Sequence, residues 1–428
     1  MTAAPATTTL VARTVPLADP GPLLSLLPAA APLAWVRDGE GLIGWGEAAA
    51  CSTPPGPERF TRAQDWWAEV IDRMVVHNEV GLPGTGPVAF GSFAFADGSA
   101  AGGLLIVPEV IIGRRGDRWW LTTIDRDHQG SPERLAGAPG RAAALDLAPV
   151  TSPGRVTFRD GALTGEQWSH RVAEAVTRIG DGALEKVVLA RDVLATTERP
   201  IDVRWLLSNL ARRYPACWTF SVRGMVGATP EMLIRREKGL VTSRVLAGTI
   251  RRTGDDEHDV RLAAALARSS KDLEEHEYAV RSVVEALSPH CTSTSVPESP
   301  FVLHLPNVMH LATDVAGVLA DDTSALGLAA ALHPSAAVCG TPTDRAAALI
   351  DELEGMDRDR YAGPVGWLDA SGDGEWGIAL RSARLDDADP RRLRLFAGCG
   401  IVAGSDPAAE LAETNAKLQP MHEALGSA

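Results

Sequence analysis

The stretch FAGCGIVAGSDPAAELAETNAKL, residues 396–418, decides the fold because it joins a strand pattern to a helix pattern through glycines. Its apolar start continues a strand-like run over residues 393–397. Asp406 followed by Pro407 is typical of a helix N-cap with proline at the first helical position. We therefore predict a helix over residues 406–425. The glycines at 398 and 400 can bring backbone N–H groups close to a ligand, although alone they more often mark turns.

A polar flank like that of the C-terminal helix recurs on a second predicted helix, around residues 270–287. On both helices two carboxylates three residues apart lie side by side, next to an apolar stripe. The pairs are Asp272 with Glu275 and Glu410 with Glu413. Ordinary solvated acids give this pattern too, and Glu413 with Lys417 then forms an i,i+4 ion pair worth about 0.3–0.5 kcal/mol. If the pairs face each other, they can instead hold Mg²⁺, which prefers oxygen ligands and anionic substrates.

The rest of the chain alternates between strand and helix patterns. Short apolar runs punctuated by Gly and Pro predict strands joined by turns in the first 150 residues, at 33–36, 41–45, 88–96, 104–112 and 119–123. Further strands are predicted at 186–190, 217–222, 232–235, 240–245 and 377–380. Helices are predicted at 61–78, 164–180, 255–288, 323–333 and 343–357, and a Gly/Pro/Ala-rich connection at 130–154. This mixture indicates a large α/β or α+β body.

Composition excludes several classes of protein. Of the 428 residues, 41 are Lys or Arg and 55 are Asp or Glu, so the net charge is −14, which argues against binding to nucleic acid or to an anionic membrane. Five scattered cysteines without a C-x-x-C pair argue against a disulfide framework and a zinc site. Residues 1–15 lack the pattern of a signal peptide, and no apolar run reaches the roughly 18 residues of a membrane helix. We expect a cytoplasmic protein.

Nine segments, taken in order, resemble the chorismate-binding enzyme family. They are EKVVLAR (185–191), GATPE (227–231), LAGT (246–249), SKDLEEH (270–276), HLAT (310–313), LHPSAAVCGTP (332–342), YAGPVGW (361–367), GDGEWGIALRSA (372–383) and FAGCGIVAGSDPAAELAETNAKL (396–418). The resemblance implies an α/β (α+β) fold with a large, mostly antiparallel β-sheet core and helices packed outside. It further implies a single domain over residues 1–428, in which a variable part, 1–150, completes the sheet core and 160–428 form the catalytic region.

The resemblance also implies an activity, the Mg²⁺-dependent isomerisation of chorismate to isochorismate. Water adds at C2 of the ring while the C4 hydroxyl leaves, so the reaction needs a base for the water and an acid for the hydroxyl. The family match assigns these roles to Lys186 and Glu231. A lysine base must be neutral, and an acid must hold its proton near neutral pH. Taken singly, each residue is more simply explained as a surface side chain at a strand edge or a turn.

Further roles follow from the same resemblance. Glu275 and Glu413 match the Mg²⁺ ligands, and Asp272 and Glu410, one turn earlier, match the residues that support them. Arg381 matches an arginine that grips the side-chain carboxylate of the substrate, and a guanidinium fork suits that geometry. His310 matches a histidine beside the ring, although a buried structural histidine has the same pattern. The other predicted substrate-binding residues are Gly248, Ala337, Tyr361, Gly398 and Lys417.

Single positions separate the reactions of the family. A lysine at 186 favours water over ammonia, so no glutaminase subunit is expected. Ala247 stands where aminodeoxychorismate synthases resemble one another in carrying lysine, and Ala337 where salicylate-forming members tend to carry threonine. We therefore expect the reaction to stop at isochorismate, with salicylate formation by pyruvate elimination as the alternative. A non-catalytic relative would lack Lys186 or Glu231. A monomer is expected, and the pathway served, siderophore or menaquinone synthesis, stays open.

Overall fold

The computed structural model describes residues 9–126 and 149–426, so the predicted connection at 130–154 and the start of the chain lie mostly outside the described residues. In chain order the strands are β1 (Leu10–Leu17), β2 (Leu33–Arg37), β3 (Glu40–Trp45), β4 (Ala49–Thr53), β5 (Met74–Asn78), β6 (Val88–Phe93), β7 (Gly103–Val107), β8 (Val110–Arg115), β9 (Arg118–Arg126), β10 (Val156–Asp160), β11 (Lys186–Thr197), β12 (Trp218–Val222), β13 (Met225–Thr229), β14 (Met232–Glu237), β15 (Leu240–Arg251), β16 (Cys291–Ser295), β17 (Phe301–His304), β18 (Val308–Leu319), β19 (Gly340–Thr341), β20 (Pro364–Asp369), β21 (Gly374–Ile378), β22 (Ser382–Leu385) and β23 (Arg392–Ile401). The helices are α1 (Arg59–Asp72), α2 (Gly165–Gly180), α3 (Val203–Arg213), α4 (Asp256–Leu266), α5 (Ser270–Leu287), α6 (Ala325–Leu332), α7 (Thr343–Glu354) and α8 (Pro407–Leu425), with 3₁₀ turns at Leu23–Leu26 and Ser288–His290.

The strands form two large sheets. The thirteen-stranded sheet has the order β10-β11-β23-β22-β13-β12-β2-β3-β8-β9-β1-β5, with β19 beside β11. The ten-stranded sheet has the order β16-β18-β15-β14-β21-β20-β6-β7-β4, with β17 beside β18. Neighbouring strands run antiparallel in the described ranges, apart from the parallel pair β1 and β5. The prediction of a mixed fold with a mostly antiparallel sheet core is confirmed.

Strands from the first 150 residues share both sheets with strands from the rest of the chain. Trp35 on β2 pairs with Phe220 on β12, and Phe90 on β6 pairs with Trp367 on β20. Trp35 and Phe90 are fully buried in the same apolar cluster as Trp367. Burial on this scale stabilises such a cluster by about 25 cal/mol for each Å² of apolar surface removed from water. The single domain stays a prediction, which these shared strands support.

Several predicted helix bounds are wrong at their ends. The pattern predicted over 61–78 stops at Asp72, and Met74–Asn78 joins the sheet beside β1, where β-branched Val75 and Val76 suit a strand. The helix predicted over 255–288 is two helices, because the side chain of Ser269 accepts a hydrogen bond from the N–H of Asp272 and caps a new one. The strand predicted over 104–112 is likewise two strands, separated at Pro108.

Helices α5 and α8 pack on different sheets. Helix α5 packs on β15 and β18 of the ten-stranded sheet, and α8 packs on β23 of the thirteen-stranded sheet. The N-cap of α8 is Asp406, whose side chain accepts from the N–H of Ala409, and Pro407 follows it as predicted. Within the described residues, the helices are all too short or too polar to cross a lipid bilayer. The five cysteines are free thiols.

Candidate active site

A cavity between these elements is lined by nearly all of the residues that the sequence pointed to. They are Glu231, Gly248, Asp272, Glu275, His310, Ala337, Tyr361, Arg381, Gly398, Glu410, Glu413 and Lys417. Lys186 lies outside this lining, but it reaches the cavity through its partner Glu275, with 2.8 Å between Nζ and Oε1. The Lys186 side chain is only 2% exposed, so it is not the surface lysine of the simpler explanation.

The pair formed by Lys186 and Glu275 depends on the absence of a side chain at Gly400. Lys186 begins β11, which pairs along its length with β23, the strand that carries Gly400. A Cβ atom on Gly400 would lie 2.6 Å from Oε1 of Glu275 and 3.0 Å from Cε of Lys186. Both distances are shorter than ordinary van der Waals contact. The glycine-rich strand therefore makes room for the ion pair.

The two acidic flanks do point into the cavity. Asp272 and Glu275 come from α5, and Glu410 and Glu413 come from α8. Lys417 completes the α8 side, because its ammonium lies 2.6 Å from Glu413 and donates a 3.0 Å hydrogen bond to the carbonyl of Gly398. The i,i+4 pair expected from spacing is thus present, but it belongs to the cavity wall and not to the solvated surface.

The four carboxylates suit a magnesium ion in chemistry, because all of them offer hard oxygen ligands. They are not gathered around one point, however, since the described ranges 9–126 and 149–426 hold no group of three or more acidic, His or Cys side chains at metal-binding distance. Glu275 and Glu413 are instead each paired with a lysine. The donor set fits the cation, and Lys417 supplies positive charge beside Glu413.

Glu231 is the buried acid of the cavity. It lies between β13 and β14, where its N–H donates to Oγ1 of Thr229 at 3.2 Å and its carbonyl accepts from the N–H of Ile378. Burial raises the pKa of the Glu231 carboxyl to about 7, although Arg381 and Lys186 act in the opposite direction. A carboxyl with this pKa holds its proton in a large fraction of molecules at neutral pH.

Arg381 and His310 form the cationic and aromatic side of the cavity. Arg381 adopts a left-handed backbone with φ of 49°, a strained conformation for a non-glycine residue that is found at functional sites. Its Nη2 donates to Nε2 of His310 at 3.2 Å. Burial, followed by the charges of Arg381 and Lys417, lowers the pKa of His310 well below its usual value. The imidazole is therefore neutral.

Tyr361 and Ala337 complete the predicted set. The ring of Tyr361 stacks on Phe396 with 5.0 Å between centroids and 10° between planes. Burial raises the pKa of the Tyr361 phenol, which keeps it protonated as a hydrogen-bond donor. Ala337 lies on the segment that leads from the buried helix α6 to β19, and it packs against the apolar core while lining the cavity.

Sequence reasoning missed two polar residues of the wall, Arg358 and Thr249. Arg358 pairs with buried Glu354 and donates to the carbonyls of Val188 and Val338, at 2.7 and 2.9 Å. The i,i+4 spacing of Glu354 and Arg358 was the available signal. Thr249 stood inside the quoted LAGT segment, and only the strand pairing, which places it opposite His310, shows why it matters.

Known proteins resemble this chain in sequence. A family model described as chorismate binding enzyme matches residues 33–426. The isochorismate synthase DhbC of Bacillus subtilis is 38% identical over 352 residues, which cover 79% of this chain and 81% of that protein. The salicylate biosynthesis isochorismate synthase of Pseudomonas aeruginosa is 35% identical over 396 residues, or 87% of this chain and 80% of that protein.

A solved structure extends the agreement to the fold. The structure of MenF, the menaquinone-specific isochorismate synthase from Escherichia coli, superposes with a TM-score of 0.80 over 98% of this chain and 95% of the other. The two sequences are 24% identical, so this likeness concerns the fold alone. The residues matched by the family model include the whole lining of the cavity. The chain belongs to the family of chorismate-binding enzymes.

Proposed function

We propose that this chain converts chorismate to isochorismate and that the cavity described above is its active site. The observation that carries the proposal is the meeting of a buried acid and a buried amine at one cavity. Glu231 lines it with a pKa of about 7, and Lys186 reaches it through Glu275. An acid and a base are what the exchange of a ring hydroxyl for water needs. The isochorismate synthase names of the relatives point to the same reaction.

In the proposed reaction Lys186 accepts a proton from water as its oxygen bonds to C2 of the ring. The ring double bonds shift, the C4–O bond breaks, and Glu231 gives its proton to the leaving hydroxyl, which departs as water. The proton taken by Lys186 and the one lost by Glu231 return through solvent. General acid and base catalysis of this kind contributes about 10²–10⁴-fold in rate.

The proposed contacts to substrate follow from charge. Chorismate carries two carboxylates, and the cavity offers the guanidinium of Arg381 and the ammonium of Lys417. We assign the side-chain carboxylate to Arg381 with the phenol of Tyr361, and the ring carboxylate to Lys417. Gly248 on β15 and Gly398 on β23 both line the cavity, where the substrate can approach the backbone. His310 and Ala337 are assigned to the sides of the ring.

Mg²⁺ is the proposed cofactor, with Glu275 and Glu413 as its ligands, directly or through water. Asp272 and Glu410, one turn earlier on the same helices, would hold those two carboxylates in place. Bound there, the cation would neutralise part of the charge of an anionic substrate. The acidic cavity wall alone would repel a dicarboxylate. The cation, together with Arg381 and Lys417, offsets this repulsion and makes binding possible.

The experiment that tests the function is incubation of the protein with chorismate and Mg²⁺, followed by separation of the products and NMR identification. Isochorismate without pyruvate is the expected result, because Ala337 lacks the hydroxyl that salicylate-forming members tend to carry. Pyruvate release, followed by a coupled dehydrogenase, would instead support the salicylate alternative. Chorismate recovered unchanged in the presence of Mg²⁺ would refute both. Monomeric state, cytoplasmic location and a reaction independent of any glutaminase subunit are further parts of this proposal.

A further inference from the structure

A β-bulge at Gly248 brings Thr249 face to face with His310. The register of β15 against β18 shifts between Ala247 and Thr249, and Gly248 takes the left-handed φ of 73° that such a bulge requires. After the bulge Thr249 is paired with His310, and directly opposed residues of antiparallel strands share one face of the sheet. Oγ1 of Thr249 lies 3.1 Å from Nδ1 of His310.

The other ring nitrogen of His310 faces a donor. Nη2 of Arg381 lies 3.2 Å from Nε2. A guanidinium has donors and no acceptor, so Nε2 must present its lone pair. In a neutral imidazole the proton then resides on Nδ1 and is donated to Thr249.

We propose that Thr249 is a positioning residue: by accepting the Nδ1–H of His310 it supports the tautomer that the guanidinium of Arg381 requires, so that the Nε2 lone pair orients this guanidinium toward a substrate carboxylate. The opposite tautomer would set an N–H of the ring against an N–H of the guanidinium. That repulsion would turn Arg381 out of position. The orientation of Arg381 rests on the proposed function, whereas the tautomer is a property of the protein alone.

The test compares Thr249→Val, which keeps the shape but removes the hydroxyl, with Thr249→Ser, which keeps the hydroxyl. The tautomer is read by ¹⁵N NMR of the full chain, with the His310 signal assigned by its loss in a His310→Gln variant. We expect Nδ1–H in the wild type and in Thr249→Ser, and a substantial Nε2–H population in Thr249→Val. With chorismate we expect KM to rise about tenfold in Thr249→Val with kcat changed less than threefold, because carboxylate binding is lost equally in ground and transition states.

Thr14→Val is the matched control for stability. It also removes a buried threonine hydroxyl, one that hydrogen-bonds to Thr122 at 2.7 Å on β1, away from the cavity lining. We expect it to lower the melting temperature as Thr249→Val does, with no change in KM. A matching rise of KM in this control would overturn the positioning role.

Every other outcome also decides the matter. An Nε2–H ring in the wild type, which needs no variant to fold, overturns the proposal. So does a raised KM with the tautomer unchanged, or a changed tautomer with KM unchanged. Chorismate left unconverted by the wild type refutes the proposed function and the carboxylate contact, while the tautomer measurement still decides whether Thr249 controls His310.

Discussion

The side-chain nitrogen of Lys186 lies 2.8 Å from the carboxylate of Glu275, so the proposed base and a proposed metal ligand are each other's partner. The pair joins the thirteen-stranded sheet to helix α5, which packs on the other sheet. Both side chains are largely buried, at 2% and 14% exposure. Removing one partner of a buried pair leaves the other group buried without its partner. Each substitution here therefore acts on stability as well as on chemistry.

Lys186→Ala tests the base. We expect kcat to fall by about 10²–10⁴-fold, because water then has no group to take its proton. The measurement is isochorismate formation followed by chromatography, with circular dichroism to confirm that the variant is folded. Added methylamine should restore part of the activity by entering the space of the missing amine. Normal turnover by a folded Lys186→Ala variant would remove Lys186 from the mechanism.

Gly400→Ala tests the geometry of the pair without changing either charge. The new methyl group would lie 2.6 Å from Oε1 of Glu275, so that carboxylate must move. We expect a loss of about tenfold or more in kcat/KM, since displacements near 1 Å can cost about 10²-fold. We expect the free energy of unfolding to change by less than about 1 kcal/mol, because the flexible Glu275 side chain can move aside. Gly404→Ala is the control, because a methyl group there meets nothing within 4 Å. Equal effects of the two variants would show that the pair's geometry is unimportant.

Much of the site could be predicted from the sequence because its residues sit in short segments with fixed local spacing. Carboxylates three apart share a helix flank whatever the helix packs against, and both flanks face the cavity. The orientation of α5 was harder to predict. Apolar Leu273 is only half-buried, whereas polar His276 is buried and shares a 2.7 Å hydrogen bond with Thr313. The periodicity of apolar residues cannot reveal a polar residue that is buried with a hydrogen-bond partner.

The parts that the sequence could not predict depend on contacts between distant strands. The pairing of Lys186 with Glu275 and of Thr249 with His310 follows from sheet register and from the Gly248 bulge, which no local pattern encodes. Strands from before and after residue 150 form separate blocks that join within both sheets, at the pairs β2–β12 and β6–β20, and no local pattern encodes these joins. Helix ends were misplaced where a cap, as at Ser269, interrupts a continuous apolar pattern.

Glu275→Gln combined with Glu413→Gln tests the magnesium ligands. Each change keeps the shape of the side chain but removes the negative charge that attracts the cation. We expect the affinity for Mg²⁺, measured by isothermal titration calorimetry, to fall by at least about tenfold, and the Mg²⁺ dependence of turnover to shift to higher concentration. Glu277→Gln, an exposed position on the same helix, is the control. An unchanged Mg²⁺ response in the double variant would disprove this assignment.

Glu231→Gln tests the acid and its environment. The pKa of Glu231 is raised from 4.5 to about 7 by burial, so the folded protein holds this proton more tightly than the unfolded chain does. Stability is therefore lost as pH rises from about 4.5 through about 7, and a neutral glutamine avoids that loss. We expect Glu231→Gln to be more stable than the wild type at pH 8, by about 3 kcal/mol in urea unfolding, and about equal to it at pH 4.

We expect Glu231→Gln to lose activity, although it gains stability at pH 8. Because Glu231 must donate a proton, kcat/KM of the wild type should fall as pH rises through about 7, and Glu231→Gln should lose about 10²–10⁴-fold at every pH. A variant that is both more stable and inactive at pH 8 would mark a buried carboxyl kept for chemistry at a cost in stability. Retained activity in Glu231→Gln, or a wild-type rate that is flat from pH 6 to pH 9, would contradict the role of Glu231 as the acid.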